Sequence, residues 1–148
     1  MAFAPIFMRA SDVKIGAVTA GVPDDEATAT AYECEVRSVL FTPDASTERV
    51  KTLCPSGSYA NVSAAEWSVE IGYLVGETDS GTTLSEWLFD HQGEKAIVYF
   101  RPVSGGDTGM SAIVTVVAGP YGGEEGGFSE QSVTLPVDGQ PSKLAAIP

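Results

Sequence analysis

The sequence predicts a mainly β protein: an antiparallel β-sandwich or barrel with one short flanking α-helix. Three observations lead to this fold class. Several segments alternate apolar and polar residues with period two, turn-forming residues separate most of them, and a helical pattern occurs at one place. The chain has 148 residues, enough for one domain to bury its own core, so we expect a single domain over residues 1–148.

The N-terminal half contains three candidate strands. The first and weakest is 12–18, DVKIGAV. The second is 30–41, TAYECEVRSVLF, and the third is 47–54, TERVKTLC. In the second, apolar and charged residues alternate between two faces, with Tyr32, Cys34 and Val36 opposed to Glu33, Glu35 and Arg37. The residues TPDAS between the second and third segments are typical of a turn, which predicts that these two strands pair as a hairpin.

The second half contains four more candidate strands. The strongest alternation is in 65–76, AEWSVEIGYLVG, where apolar residues from Trp67 to Val75 oppose Glu66, Ser68, Glu70 and Gly72. The segment 95–102 is rich in strand formers and ends at a proline, which cannot continue a ladder. The segment 111–119 is nearly all β-branched or small, which indicates burial on both faces. The last, 128–137, opposes Val133, Leu135 and Val137 to Glu130, Ser132 and Thr134.

Three segments fit a compact sandwich poorly. Residues 1–10 form an N-terminal arm that carries Phe3, Ile6, Phe7 and Met8, which either fold back onto the domain or need a partner to cover them. The stretch 55–64, PSGSYANVSA, has the composition of a loop and contains Tyr59. The glycine-rich loop 119–128 has no fixed conformation of its own.

One helix is predicted over 84–91. Thr83 and Glu86 have the spacing of a capping box, and Gly93 can supply the left-handed residue that ends a helix. Leu84, Trp87, Leu88 and His91 fall at i, i+3, i+4 and i+7, which places them on one face. Because a helix this short is unstable alone in water, Leu84, Trp87 and Leu88 are expected to pack on a sheet.

The residue types that carry catalysis are sparse. His91 is the only histidine, and it lies at a helix end, where an imidazolium suits the negative end of the helix dipole. The sequence places no nucleophile or orienting carboxylate beside His91 in a catalytic pattern, so we expect that the protein is not an enzyme. Trp67 and Trp87 lie on apolar faces, which favours core packing over a sugar-binding platform.

Metal and disulfide chemistry are equally poorly represented. The acidic turns 23–26 and 122–127 lack the alternating ligand spacing of a calcium loop and are read as solvated, so we expect neither cofactor nor metal. Cys34 and Cys54 could form a disulfide, but buried free thiols are favoured for a chain without a recognisable signal peptide, which we expect to be made in the cytoplasm.

The charge balance restricts the partners. Eight lysines and arginines stand against twenty aspartates and glutamates, a formal net charge of −12. A groove that grips nucleic acid needs cations that displace counterions, so this composition argues against one, although it allows a surface that repels nucleic acid. Acidity that serves only solubility is an equal alternative. No apolar run approaches the length of a membrane span, so we expect no membrane partner.

The order of these elements resembles the major tail tube proteins of long-tailed (siphovirus-type) phages. The resemblance rests on EWSVEIGYL before the helix, TTLSEWLF at its start, VYFRP after it and SAIVTVVAGPYGGEEGGFSEQSVTLPVDGQP near the end, and it covers most of residues 10–141. The last of these stretches is similar to relatives from phages of actinobacteria. The resemblance implies a subunit that assembles into stacked hexameric rings, whose strands form an inner barrel through which DNA passes at ejection.

The resemblance also implies where functional residues would lie. If the chain forms such a tube, its acidic excess predicts a lumen of carboxylates and hydroxyls that repels phosphates. Our hypothesis is that at least one of the following polar strand faces lines it: Glu33, Glu35, Glu66, Ser68, Glu70 and Glu130, followed by Ser132 and Thr134. The alternative is that each of these residues lies on the solvated face of a strand. The N-terminal arm and the extended loops would make the contacts between rings, and the candidates are Phe3, Ile6, Phe7, Met8 and Tyr59.

The expected partners follow from the same resemblance. They are other copies of the chain, with the tape measure, tail terminator and distal tail proteins, in a virion tail assembled in the host cytoplasm. DNA would pass without sequence-specific binding. A capsid decoration protein or a carbohydrate-binding β-sandwich module is the competing class, and such a module would stay small and rigid instead of forming hollow rods.

Overall fold

The computed structural model describes residue 5 and residues 11–32, 34–76, 83–103 and 106–144. Within these ranges the chain is mainly β and antiparallel with a single short helix, so the predicted fold class is confirmed. The helix, α1, spans Leu84–Asp90. The strands are β1 (Asp12–Thr19), β2 (Val22–Pro23), β3 (Thr30–Ala31), β4 (Val36–Asp44), β5 (Thr47–Lys51), β6 (Ser58–Val62), β7 (Glu66–Leu74), β8 (Lys95–Arg101), β9 (Met110–Thr115), β10 (Glu130–Pro136) and β11 (Ser142–Lys143).

The strands form two facing sheets and a separate hairpin. The larger sheet has the order β11-β9-β8-β1-β2, with β3 also paired to β1, and the smaller has the order β10-β7-β4. The hairpin consists of β5 and β6. The sheets meet at one side, where an isolated bridge joins Val114 to Val137. Aromatic rings of Phe41 and Phe100 stack between the sheets with centroids 6.4 Å apart.

The core fills the space between the two sheets. From the smaller sheet, Val69, Ile71 and Tyr73 of β7 are fully buried, as the alternation in this segment predicts. The larger sheet contributes its own buried row, Ile15, Ala96, Val98, Ala112 and Val114. Burial on this scale supplies most of the favourable free energy of folding, at about 25 cal/mol per Å² of apolar surface.

The helix packs against this core. Thr83 caps it by accepting a hydrogen bond from the Glu86 backbone N–H, with a donor–acceptor distance of 3.4 Å. Leu84 and Leu88 are fully buried, and the partly buried Trp87 packs against the same core. Gly93 follows with φ of +87°, a conformation that favours glycine, and turns the chain into β8.

The predicted strand 30–41 and its predicted hairpin with 47–54 are wrong. The chain turns after Tyr32, where the backbone N–H groups of Glu35 and Val36 both donate to the Tyr32 carbonyl, so only Val36 onward belongs to β4. The residues TPDAS do not reverse the chain, because β4 runs on through Asp44 along β7. The reversal occurs at 52–57, where the Thr52 N–H donates to the Gly57 carbonyl over 2.7 Å.

Half of the predicted loop at 55–64 is therefore a strand. β6 pairs with β5 in five successive positions, from Thr47 opposite Val62 to Lys51 opposite Ser58. The remaining predicted strands appear as β1, β7, β8, β9 and β10, with ends displaced by a few residues. Displacements of this size are usual, because terminal residues have fewer ladder hydrogen bonds.

A buried ion pair ties the loop before β3 to the larger sheet. The guanidinium of Arg101, 3% exposed, donates to both carboxylate oxygens of Glu26 over 2.7 and 2.9 Å, and also to the Gly106 carbonyl. The hydroxyl of Tyr99 donates to the Asp24 carbonyl over 2.6 Å in the same region. The Asp24 carboxylate also accepts a hydrogen bond from the Ala17 backbone N–H over 3.1 Å, so two acidic residues of the turn 23–26 have structural partners.

Replacing Arg101 with methionine is expected to lower the free energy of unfolding by about 3–5 kcal/mol, because it leaves the Glu26 carboxylate without its cation. The Arg101 hydrogen bond holds the pKa of Glu26 below its ordinary value of 4.5. Stabilisation from this depressed pKa is complete above the unfolded-state value and declines as pH falls through the folded-state value. Urea unfolding of the wild type and the variant should therefore differ most near neutral pH and converge as pH falls through the folded-state pKa of Glu26. A difference independent of pH would contradict this assignment.

Candidate functional site

The smaller sheet has one face turned away from the core, and it carries most of the predicted polar candidates. Directly opposed residues of an antiparallel pair project to the same side. Glu70 is opposed by Leu40 and Thr134, and Gly72 by Ser38 and Ser132. We call this surface the acidic face, and its polar members are Ser38, Thr42, Asp44, Glu66, Ser68, Glu70, Glu130, Ser132 and Thr134.

The acidic face follows from the alternation within each strand. In β7 the residues that alternate with Val69, Ile71 and Tyr73 turn outward, so Glu66 and Glu70 are exposed. In β10 the exposed positions are those that alternate with the buried Val133 and Leu135. A shift of register by one residue would bury this whole set, so the register is strongly specified.

The electrostatic character of this face is negative. β7 and β10 contain no lysine or arginine, and the one cationic residue of β4 is Arg37. The Arg37 guanidinium lies 3.2 Å from the Glu130 carboxylate, with both side chains about half exposed. An exposed pair of this kind contributes at most about 1 kcal/mol to stability. Glu66, Glu70 and Asp44 have no cation from the sheet beside them, so the face presents uncompensated negative charge.

Both outer strands of this sheet have an open side. Within the described ranges, β4 and β10 each pair with β7 and with no other strand along their length. An unpaired strand edge offers a row of N–H and C=O groups to another chain. A bulge between Val36 and Ser38 and a proline at position 43 interrupt the β4 edge, which limits indiscriminate pairing. The sheet is thus open to lateral extension at two sides.

The ladder between β4 and β7 continues beyond the sandwich as a projecting ribbon. Asp44 pairs with Glu66, a backbone hydrogen bond joins Ser63 to Ser46, and β5 and β6 extend the ribbon to the turn at 52–57. We call residues 45–65 the arm, which is distinct from the N-terminal arm of residues 1–10. Nearly all of its side chains are exposed, and its five residue pairs span about 16 Å at 3.3 Å per residue.

The arm exposes apolar side chains that a solitary ribbon would not need. Val50 and Tyr59 lie opposite each other and are 63% and 66% exposed, and Val62 and Leu53 are also exposed. An isolated two-stranded hairpin is at best marginally stable in water. The arm therefore has the composition of a segment that another surface covers.

The predicted residues fall into four groups. Glu66, Ser68, Glu70 and Glu130 come together on the acidic face, as do Ser132 and Thr134. Tyr59 lies on the arm. Glu35 does not join them, because its carboxylate accepts a hydrogen bond from the Leu84 backbone N–H over 3.1 Å and so contacts the start of the helix. The candidates Glu33, Phe3, Ile6, Phe7 and Met8 lie outside the described residues.

The exposed residues of the arm were not all among the predicted contact residues. Arg49, Val50, Leu53 and Val62 were not singled out, although CPSG between two alternating segments is a recognisable turn signal. The residues TPDAS competed with CPSG as a turn signal, because a proline followed by an acidic residue is equally typical of a turn. Here that proline lies within an edge strand.

The possible catalytic groups have structural contacts. The His91 ring stacks on Trp87 with centroids 4.7 Å apart, and its Nδ1 lies 3.1 Å from the Trp87 carbonyl oxygen. Its Nε2 lies 4.0 Å from the Glu94 carboxylate, longer than a hydrogen bond. Cys34 and Cys54 are free, and both are exposed, so the prediction that they are buried is wrong. Each lies in a surface turn instead of an inward-facing strand position.

The described ranges, 11–32, 34–76, 83–103 and 106–144 with residue 5, lack two further features. No three histidine, cysteine, aspartate or glutamate side chains there converge as metal ligands would. The helix found in those ranges lacks the length and apolar character needed to cross a bilayer.

Comparison with known proteins identifies the fold. No protein-family profile matches the sequence, and no curated protein matches it. Solved structures do match in three dimensions. One matching chain belongs to a structure described as the virion of a native gene transfer agent (GTA) particle, and another to the tail of an empty GTA particle with C6 symmetry. Each is 15% identical, has a TM-score of 0.58, and is aligned over 90% of this chain and 96% of its own length. The likeness establishes a shared fold.

Proposed function

We propose that this chain is the structural subunit of a phage-type tail tube, which assembles into stacked, six-membered rings with an acidic lumen. The observation that carries the proposal is the acidic face, which lies on a sheet whose two outer strands both have open sides. The shared fold with a chain from a C6-symmetric GTA tail supports the six-fold arrangement. The subunit has no catalytic role in this proposal.

Lateral assembly uses the open sides of the smaller sheet. When β4 of one subunit lies beside β10 of the next, the smaller sheets become continuous, and a closed ring leaves no edge of these sheets unpaired. The head-to-tail contact joins two different surfaces, and it closes when the rotation between subunits divides a full turn. The acidic faces of all subunits then line the inside of the ring.

The negative lining suits the passage of DNA. Duplex DNA carries about one negative charge per 1.7 Å of its axis, and lysines in the wall would bind it by releasing counterions. Glu66, Glu70 and Glu130 repel phosphates instead, while Ser68 and Thr134 keep the wall hydrated. DNA therefore meets no strongly attractive site along the lumen during ejection.

Axial assembly uses the arm, which extends past the end of the sandwich. Contacts with the next ring would cover Val50 and Tyr59, and the N-terminal candidates Phe3, Ile6, Phe7 and Met8 would add to the same junction. The proposed partners are other copies of the chain and, at the tube's lumen and ends, tape measure, tail terminator and distal tail proteins. The proposed location is the virion tail, built in the host cytoplasm.

Electron microscopy of the purified protein tests this proposal. At increasing concentration, negatively stained samples should show hollow rods with six-fold symmetry in end views. Sedimentation should show a transition from small species to polymer above a critical concentration, as expected for an assembly that closes in one direction and remains open in the other. A fixed small species at every concentration would contradict the proposal. If that species also bound a glycan column, the carbohydrate-binding alternative would be favoured, with the exposed Tyr121 and Phe128 as its platform.

A further inference from the structure

The arm and the opposite end of the subunit have complementary surfaces. We propose that the cationic side of the arm docks in an aromatic groove beside α1 on a second copy of the chain. This inference rests on the proposed function, because it assigns the contact between successive rings. The groove beside α1 is the surface that receives the arm in this contact.

The arm carries positive charge on one side of its ribbon. Alternation places Arg49 and Lys51 on the same side, opposite the small residues Ala60 and Ser58, which leave both cations uncovered. Neither cation forms an ion pair within the described part of the chain. With Glu48 as its only carboxylate, the arm has a formal charge of +1, so the other residues of a −12 chain sum to −13.

The receiving groove lies between the exposed side of α1 and the loop that follows β9. It has a volume of about 410 Å³ and is lined by Ser85, Glu86, Phe89, Asp90, Gly119 and Tyr121. Phe89 and Tyr121 are 75% and 74% exposed, so their rings present uncovered apolar surface. Glu86 and Asp90 are four residues apart on the helix, which places both carboxylates along the same rim.

The groove lies at the end of β7 opposite to the arm. The arm leaves the sheet at Glu66, the first residue of β7. At the other end, the Tyr73 hydroxyl donates to the Pro120 carbonyl over 2.7 Å, which fixes the loop that carries Tyr121. The Leu74 backbone N–H donates to the Glu35 carbonyl, and the Glu35 carboxylate in turn holds the first residue of α1.

Because the arm and the groove lie at opposite ends of β7, the contact between them on two copies of the chain is directional. A second copy displaced along the direction of β7 presents its groove to the arm of the first, and the same contact repeats without closing. Arginine and lysine then approach carboxylates at the rim and aromatic faces within the groove, where cation–π attraction adds to the ionic attraction. The cationic side of the arm matches the groove in charge, and the exposed Val62, opposite Thr47 on that same side, adds apolar surface, so the chain itself is the occupant that fits.

A charge exchange tests this assignment. E86K/D90K is expected to raise the critical concentration for rods at least about tenfold, equivalent to about 1.4 kcal/mol per contact. R49E/K51E should do the same. The chain that combines all four substitutions should recover assembly, because the attracting charges are exchanged and not removed. E94K/D107K alters two exposed carboxylates outside the groove by the same net charge and should assemble like the wild type.

Several outcomes separate the possible failures. Circular dichroism and melting of each variant establish that it is folded, and the milder E86Q/D90N should show a smaller defect if reversal perturbs the helix. Wild-type polymerisation by E86K/D90K, or no recovery in the fourfold variant, would overturn the groove assignment alone. Isolated rings in place of rods support it, whereas loss of rings would assign the groove to the lateral contact. Absence of rods in the wild type would refute the proposed function itself.

Discussion

Replacement of residues 45–65 by the dipeptide Asn-Gly is expected to leave the subunit folded and to abolish rod formation. The arm makes no contribution to the buried core, since none of the core residues lies within 45–65. Asp44 and Glu66 are already paired, so a two-residue turn can close the ladder at that point. We expect the melting temperature to change by no more than a few degrees, because the change corresponds to less than about 1 kcal/mol.

The matched control keeps the length of the arm and removes its chemistry. A variant with serine at positions 50, 53, 59 and 62 retains the hairpin's turn but exposes little apolar surface. It should assemble poorly, and the critical concentration measured by sedimentation should lie above that of the wild type. Full-length rods from the Asn-Gly variant would show that the arm is dispensable for stacking. An unfolded Asn-Gly variant would instead assign the arm to the fold.

Conversion of the acidic face to a cationic one is expected to make the assembled rods retain DNA. In E66K/E70K, two positions at the centre and end of β7 exchange negative for positive charge. Each cation that neutralises a phosphate adds about 0.9 to the magnitude of the salt slope of DNA affinity, so retention should be strong at low salt and fall steeply as salt rises. Wild-type rods should retain none. In a phage that carries the variant, ejection should stall and the titre should fall by orders of magnitude.

The control for this experiment is E94K/D107K, which changes the net charge equally at exposed positions away from the acidic face. Rods of this variant should resemble the wild type in co-sedimentation with labelled duplex DNA. If they retained DNA as strongly as E66K/E70K, retention would reflect total charge and not the lining of a lumen. The proposal that the acidic face is internal would then lose its support.

The sequence predicts those parts of this fold in which local pattern and burial agree. The alternation in β7 and β10 identifies both the core row and the acidic face, because one face of each strand is covered along its whole length. The helix is predicted correctly because Thr83 and Gly93 mark its ends and Leu84 and Leu88 share one side. These signals depend on near neighbours along the chain.

Errors arise where distant contacts override local pattern. The alternation from Tyr32 to Arg37 predicts a continuous strand, but Glu35 is drawn to the start of α1 and the chain turns there. Pro43 resembles a turn residue and instead lies on an open strand edge, where its missing N–H has no ladder partner to lose. The two cysteines are exposed because the chain turns at both places, which period-two reasoning cannot anticipate.

The detachment of the arm from the folded body has a consequence for how such proteins diverge. Substitutions at Arg49, Val50 or Tyr59 escape selection for folding, since no core residue depends on them. Under the proposed docking, lineages can therefore change arm residues together with the groove residues Glu86 and Asp90, and become mutually incompatible without losing thermal stability. Under the same proposal, two tubes assembled in one co-infected cell would remain separate, because the arm of one subunit type would not dock on the groove of the other.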